Sequence, residues 1–318
     1  MTVFGYFLSA EEHPPNRLVE VGQLAERAGF EELWISDHYH PWTHEQGESA
    51  FVWSVLGALA HTTSLPVTTA VTCPTVRIHP AVVAQAAATT AAMMPGRFSL
   101  GVGSGENLNE HILGDPWPAT DVRLEMLEEA VEVMRDLWTG DNVRHYGEHY
   151  TVENAKLFTL PDEPPPVLVS GFGPKATKLA ARIGDGFCST SPDAEMVRLF
   201  DSRGGKGKPK HAGTKVCWGT DRDACVELAH RLWPNEGLPG ELAQELPSPH
   251  HFEQAGQLVT KEIIADSVVC GDDVDAHVAG LQEYVDAGFT HVFVQQIGPD
   301  QEGFLRFYER EVLPRVRG

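Results

Sequence analysis

The chain has 318 residues, 42% of them hydrophobic, which is enough to bury one large core in a single domain spanning residues 1–318. Asp and Glu total 45 against 24 Lys and Arg, a formal charge of -21 that argues against nucleic-acid backbones and membrane surfaces, both of which need basic clusters. The five cysteines are widely spaced with no C-x-x-C pair, and the N-terminus lacks a basic leader region; reduced thiols and a cytoplasmic, soluble protein are expected.

In chain order, short apolar runs alternate with helical stretches, the pattern of βα units around a parallel sheet. Val3–Ser9 reads as a strand, Asn16–Ala28 as an amphipathic helix stopped by Gly29, Leu33–Ser36 as a strand and Phe51–Thr62 as a helix. Strand Val67–Val71, helix Pro80–Met94, strand Phe98–Val102 and helix Arg123–Trp138 follow. Pro80 stands where a first-turn proline is tolerated. Asn142–Leu160 alternates around Gly147 and predicts a β-hairpin inserted in the repeat. The βα pattern resumes with Val167–Ser170, Pro174–Ile183, Gly186–Ser189 and Ala194–Phe200, then a seventh strand at Lys215–Gly219. From about 234 to 270 periodicity fades into a helical excursion, before helix Asp275–Ala287, strand His291–Gln296 and helix Gly303–Leu313. Eight strands with intervening helices predict a (β/α)8 TIM barrel with insertions, whose chemistry belongs at the C-terminal strand ends.

Three such ends carry reactive residues. After the second strand, ISDHYHPW gathers Asp37, His38, His40 and Trp42; an imidazole titrates near neutrality, and an adjacent carboxylate such as Asp37 orients it. A solvated loop, or a metal-dependent hydrolase built on His38 and His40, is an alternative; the latter needs further ligands, for which only His111 and His291 offer themselves. After the fourth strand, GVGSGENLNE places Ser104 and Gly105 before Glu106 and Asn109, a bare backbone that a flat ring can approach and a carboxyl whose pKa a bound ring would raise. It lacks the strand-first position of a dinucleotide fingerprint, so NAD is not expected. After the fifth strand, SGFGPKA runs through Gly171 and Gly173 into a helix, an anion cradle with Lys175 beside it. The basic run SRGGKGKPKHAG (loop 202–213) predicts a flexible loop near the active-site end.

Together these loops, with Glu11 in LSAEE, the TTAVTCPT strand end, ARIGDGF and the tail DAGFTHVFVQQIGPDQEGFLRFYEREVLPR, resemble the bacterial luciferase-like superfamily. Within it the likeness is to the F420-dependent glucose-6-phosphate dehydrogenase group. The resemblance implies a deazaflavin coenzyme, F420, a small-molecule substrate and a homodimer, with FMN and a luciferase-like monooxygenase as the alternative. It implies that His38 is the acid/base group, Glu106 exchanges a proton with the deazaflavin ring, Glu11 is a substrate-side carboxylate and Trp42 stabilises the reacting complex. Asp37, His38, Cys73, Ser104, Gly105, Glu106 and Asn109 would line the ring, with a non-proline cis peptide between Ala70 and Val71. Phe172, Gly173, Lys175 and Ala176 would hold the coenzyme tail. Where the sugar-phosphate enzymes grip phosphate through Thr-Ser-Gly-Lys, this chain reads Thr190, Ser191, Pro192, Asp193, and Lys261 is the one remaining basic candidate in the excursion. A carboxylate in place of the cation makes glucose 6-phosphate a poor fit and favours an uncharged alcohol, aldehyde or unphosphorylated sugar.

Overall fold

A computed structural model describes residues 2–317. Its strands are β1 (Val3–Leu8), β2 (Leu33–Ile35), β3 (Val67–Thr69), β4 (Phe98–Val102), β5 (Val143–Tyr146), β6 (Thr151–Ala155), β7 (Val167–Ser170), β8 (Gly186–Ser189), β9 (Lys210–Cys217), β10 (Val269–Cys270) and β11 (His291–Gln296). Eight of them pair in parallel in the order β9-β11-β1-β2-β3-β4-β7-β8, and β8 returns to β9, closing a TIM barrel. The antiparallel pair β5-β6 stands apart from the barrel as a hairpin. The excursion is built from short helices, Leu242–Glu245, Pro249–Gly256 and Lys261–Ser267, and returns to the barrel through β10 on the C-terminal half of β9. Among the described residues no helix is long and apolar enough to cross a membrane. All five cysteines are buried free thiols.

The helices form where the apolar spacing puts one face on the sheet. Pro15–Arg27 buries Leu18, Val21, Gly22 and Ala25, an i, i+3, i+4, i+7 stripe. Four further helices begin at an aspartate whose carboxylate accepts first-turn amides: Asp193, Asp221, Asp273 and Asp300. The wall between β3 and β4 depends on glycine for close approach, since a Cβ on Gly101 would lie 1.9 Å from the Thr69 carbonyl oxygen. Gly101→Ala is therefore expected to destabilise the protein by at least about 3 kcal/mol, at the upper end of overpacking costs, read as a fall in denaturation midpoint.

Alternation along the strands sorts the lumen into layers. β2 and the residues flanking it send in Glu32, Trp34 and Ser36, β9 sends in His211, Gly213 and Lys215, and β11 sends in His291, Phe293 and Gln295. The middle layer is an apolar plug in which Phe7, Trp34, Leu168, Cys188 and Phe293 are each at most 8% exposed. Trp34 stacks on Phe293 with centroids 4.5 Å apart, in space that Gly213 leaves open. Ser36, Lys215 and Gln295 stand above the plug, at the C-terminal strand ends.

Two expectations fail at β9. It begins at Lys210, five residues before the predicted start, and ends at Cys217. The basic run that leads into it consequently lies at the N-terminal ends of the strands, remote from their C-terminal ends. Two of its three lysines are spent there: Lys208 donates to the Ala181 and Gly184 carbonyls and Lys210 pairs with Asp201 at 2.9 Å. Elsewhere the differences are short, with helix 120–138 starting three residues early and β3 ending at Thr69.

Candidate active site

A cavity of about 760 Å³ opens at the C-terminal face of the barrel, above the aromatic plug. Its deep part is organised around His38. The Nδ1 of this ring lies 3.2 Å from the His40 carbonyl oxygen, an atom that only accepts, so Nδ1 carries the proton and Nε2 presents a lone pair. Nε2 faces two carboxylates, Glu106 Oε2 at 3.4 Å and Glu11 Oε1 at 3.6 Å. The sequence neighbour Asp37 is not a partner of the imidazole.

Each carboxylate is held by different donors. Glu11 is buried, and its Oε2 accepts from the hydroxyls of Ser9 (2.9 Å) and Ser36 (2.8 Å). Glu106 accepts from Asn109 Nδ2 at 3.0 Å, while Asn109 Oδ1 accepts from the backbone amides of Tyr39 and His40. One buried asparagine thus ties the His38 loop to the Glu106 loop. Burial pushes the Glu106 carboxyl above the usual carboxylate range and Glu11 adds to this, against the opposing pull of His38, Asn109 and Lys215. Trp42 packs at 5.1 Å from the His38 ring and edge-on to Phe252, with its backbone amide held by Gln46.

Asp37 belongs to a buried ionic layer that sequence reading missed. Its Oδ2 accepts from Thr72 at 2.8 Å and its Oδ1 from Arg77 Nη2 at 3.1 Å; Arg77 also meets Glu110 through its backbone amide at 2.6 Å and Nε at 3.5 Å. Neither Arg77 nor Glu110 forms a local motif, and only the folded chain brings them together. Above this layer lie Cys73, whose sulfur is 2.9 Å from Thr75 Oγ1, the Ala70–Val71 peptide, which is cis, and the Ser104–Gly105 turn. Gly105 has φ +84°, a conformation that favours glycine, and a Cβ there would lie 2.5 Å from Cys73 Sγ.

At the mouth, Phe172, Gly173, Lys175 and Ala176 line the cavity where helix Pro174–Ile183 begins. No side chain caps this N-terminus, so its first amides face outward as an anion site. A Cβ on Gly173 would meet nothing within 4 Å. Lys175 pairs with Asp121 across the opening at 2.6 Å.

On the substrate side, Thr190 lines the cavity and Asp193 does not. The Asp193 carboxylate is turned away to cap helix Ala194–Phe200, accepting from the amides of Glu195 and Met196. Lys261 is also elsewhere, paired with Glu227. The cation that does reach the cavity is Lys215 of β9, bonded to Glu236 at 2.9 Å and lying over the Trp233 ring at 4.5 Å. Its position above His211 and Gly213 follows from strand alternation once the strand's true start is known. Six carboxylates line the whole cavity against two lysines, and both lysines are ion-paired.

Metal chemistry at His38 and His40 finds no support in the geometry. His40 Nδ1 donates to the Leu108 carbonyl and its ring stacks on His111 at 5.7 Å. His291 starts β11 at the opposite end of the barrel. Among the described residues the one group of three converging ligand atoms lies there, outside this cavity.

The luciferase-like monooxygenase family matches residues 2–291. An F420-dependent glucose-6-phosphate dehydrogenase of Microbacterium testaceum is 37% identical over 99% of this chain and 97% of its own. A structure of an F420-dependent secondary alcohol dehydrogenase in complex with an F420-acetone adduct superposes with a TM-score of 0.90 at 31% identity, covering 100% of this chain and 99% of its own. The coenzyme F420 dependent tetrahydromethanopterin reductase of Methanopyrus kandleri shares the fold, with TM-score 0.78 and 22% identity over 99% of each chain.

Proposed function

We infer, from the premise that the chain belongs to the luciferase-like monooxygenase family, that it is an F420-dependent oxidoreductase acting on a small uncharged alcohol or the corresponding carbonyl compound. The observation that carries this reading is the His38 Nε2 lone pair held between two carboxylates at the bottom of a long cavity whose mouth is an uncapped helix N-terminus. The site fits the coenzyme at both ends: a side-chain-poor wall at Ser104 and Gly105 for a flat ring, and open space at Gly173 beside free helix amides for an anionic tail. When bound, a deazaflavin supplies carbon 5 as hydride acceptor or donor.

The protein's part is proton handling and orientation. His38 Nε2 takes the substrate hydroxyl proton as the carbinol becomes a carbonyl, and returns it in the reverse direction. Glu11, with Oε2 fixed by two serines, stabilises the imidazolium formed in that step. Glu106, kept in its acid form further toward neutrality by burial, holds a proton at a carboxyl oxygen beside the Gly105 wall. Trp42 closes the pocket over His38 and excludes water. Asp37, fixed by Arg77 and Thr72, together with Ala70, Val71, Cys73 and Asn109, forms the bed of the ring, while Phe172, Gly173, Lys175 and Ala176 receive the tail.

The substrate class follows from charge. A phosphorylated sugar would meet six carboxylates and no unpaired cation in this cavity, so glucose 6-phosphate is expected to turn over with kcat/KM at least about tenfold below that of a good uncharged secondary alcohol. Titration with F420, FMN and NADP, followed by an alcohol and sugar screen at the deazaflavin absorbance band, tests both parts. Binding of FMN in place of F420 overturns the coenzyme; preference for the sugar phosphate overturns the substrate class alone.

We also propose a homodimer in the cytoplasm. Helices Val52–Thr62 and Pro80–Met93 carry an apolar groove in which Phe51 and Val82 are 55% exposed and Met93 37%, beside Trp53 and Ile78. Val82→Glu should shift the protein from dimer to monomer mass in light scattering; a wild-type monomer would refute the assembly. The five free thiols suit a reducing compartment.

A further inference from the structure

At the floor of the barrel, on the far side of the aromatic plug from the cavity, Glu32, His211 and His291 each offer one ligand atom, and these atoms lie within 4.8 Å of one another. Strand alternation sends all three inward from the N-terminal ends of β2, β9 and β11. The two imidazole rings are 4.1 Å apart by centroid. His211 is buried, while the side chains of His291 and Glu32 are 18% and 20% exposed, which leaves a path from solvent.

The contacts of His291 suit ligation. Its Nδ1 lies 2.8 Å from the Thr290 hydroxyl, which also contacts the Lys210 amide and carbonyl. A hydroxyl can accept there, so the Nδ1-protonated tautomer that ligation through Nε2 requires is available, and a far N–H held in this way orients a metal-ligating histidine. Nε2 and Glu32 Oε1 stand 3.7 Å apart, too far for a direct hydrogen bond. Neighbouring cations are committed elsewhere, Lys210 to Asp201 and Arg317 to Glu31.

We propose that this floor binds a divalent transition-metal ion of the zinc class through His291 Nε2, His211 Nε2 and the Glu32 carboxylate. Two imidazoles and one carboxylate with an open position are a donor set such ions favour over magnesium or calcium. Ligands about 2.1 Å from a tetrahedral ion stand roughly 3.4 Å apart, so binding draws the three groups inward by side-chain rotation. His211 Nδ1 now accepts from Trp34 Nε1 at 3.3 Å, a long bond; ligation through Nε2 moves the ring proton to Nδ1 and releases it. The site is structural with respect to the chemistry above, from which the Phe7, Trp34 and Phe293 plug separates it.

The test uses the purified full chain stripped by chelator, then dialysed against Co²⁺ and, separately, Zn²⁺, with metal measured by mass spectrometry and Co²⁺ by its visible bands. One equivalent per chain with tetrahedral-type Co²⁺ absorption is expected. His291→Ala and Glu32→Gln should each weaken it at least about tenfold, whereas His44→Ala, at an exposed histidine paired with Glu253, should not. Retained F420 binding and far-UV circular dichroism certify that the variants fold. Uptake unchanged in both variants, or no stoichiometric uptake by the wild type, overturns the proposal.

Discussion

His38→Ala is expected to lower kcat for alcohol oxidation by about 10²–10⁴-fold, the range for loss of a positioned general base, while F420 affinity stays within a few-fold. The expectation rests on the fixed tautomer: with Nδ1–H bonded to the His40 carbonyl, Nε2 is the acceptor in the pocket, and no other described side chain in the deep cavity is a neutral base of matched strength. Because the imidazole packs on Trp42 without bonding Asp37, Cys73 or Ser104 of the proposed coenzyme bed, its removal should act on turnover. A variant that loses coenzyme binding in step with activity would show that His38 is a structural contact, and one that keeps full turnover would remove it from the mechanism.

Glu106→Gln is expected to separate activity from stability. Loss of the exchangeable proton should cost about 10²–10⁴-fold in turnover. The sign of the stability effect follows from the raised carboxyl. A group whose folded pKa lies above its unfolded value contributes stability that is fully present below the unfolded pKa and is lost as pH rises through the folded one. Glutamine never ionises, so the variant escapes that loss: its melting temperature should match the wild type at acidic pH and exceed it near neutrality. The same ionisation should lower wild-type alcohol oxidation as pH rises through the Glu106 titration. A melting temperature lower than wild type at neutral pH would mean that the Asn109 and His38 contacts outweigh burial.

Much of this was legible in the sequence, for identifiable reasons. Parallel barrel strands are short apolar runs between helices with one buried stripe, and loops that bind flat or anionic groups announce themselves through glycine, so His38, Glu106, Gly105 and Gly173 stand where the pattern pointed. What failed was β9. A run reading KPKHAGTK has the composition of a solvated loop, yet Asp201 neutralises Lys210, the lumen hides His211, and Gly213 makes room for Trp34. With the strand start misplaced, the inward direction of Lys215 was lost too. Asp193 was misread although its signal was present: an aspartate directly before a helix most often caps it. Arg77 and Glu110 are 33 residues apart with no motif between them, and their pairing is a property of the closed barrel alone.

The stoppered lumen makes the cavity a blind alley. On the proposed reading, substrate, product and coenzyme would share the mouth framed by Phe172, Lys175 and Asp121, and traffic through it would be last in, first out. A molecule seated against Trp42 and Lys215 cannot leave past a neighbour filling the doorway, so steady-state kinetics should show a compulsory order, and a compound wedged at the threshold should compete with both reactants at once.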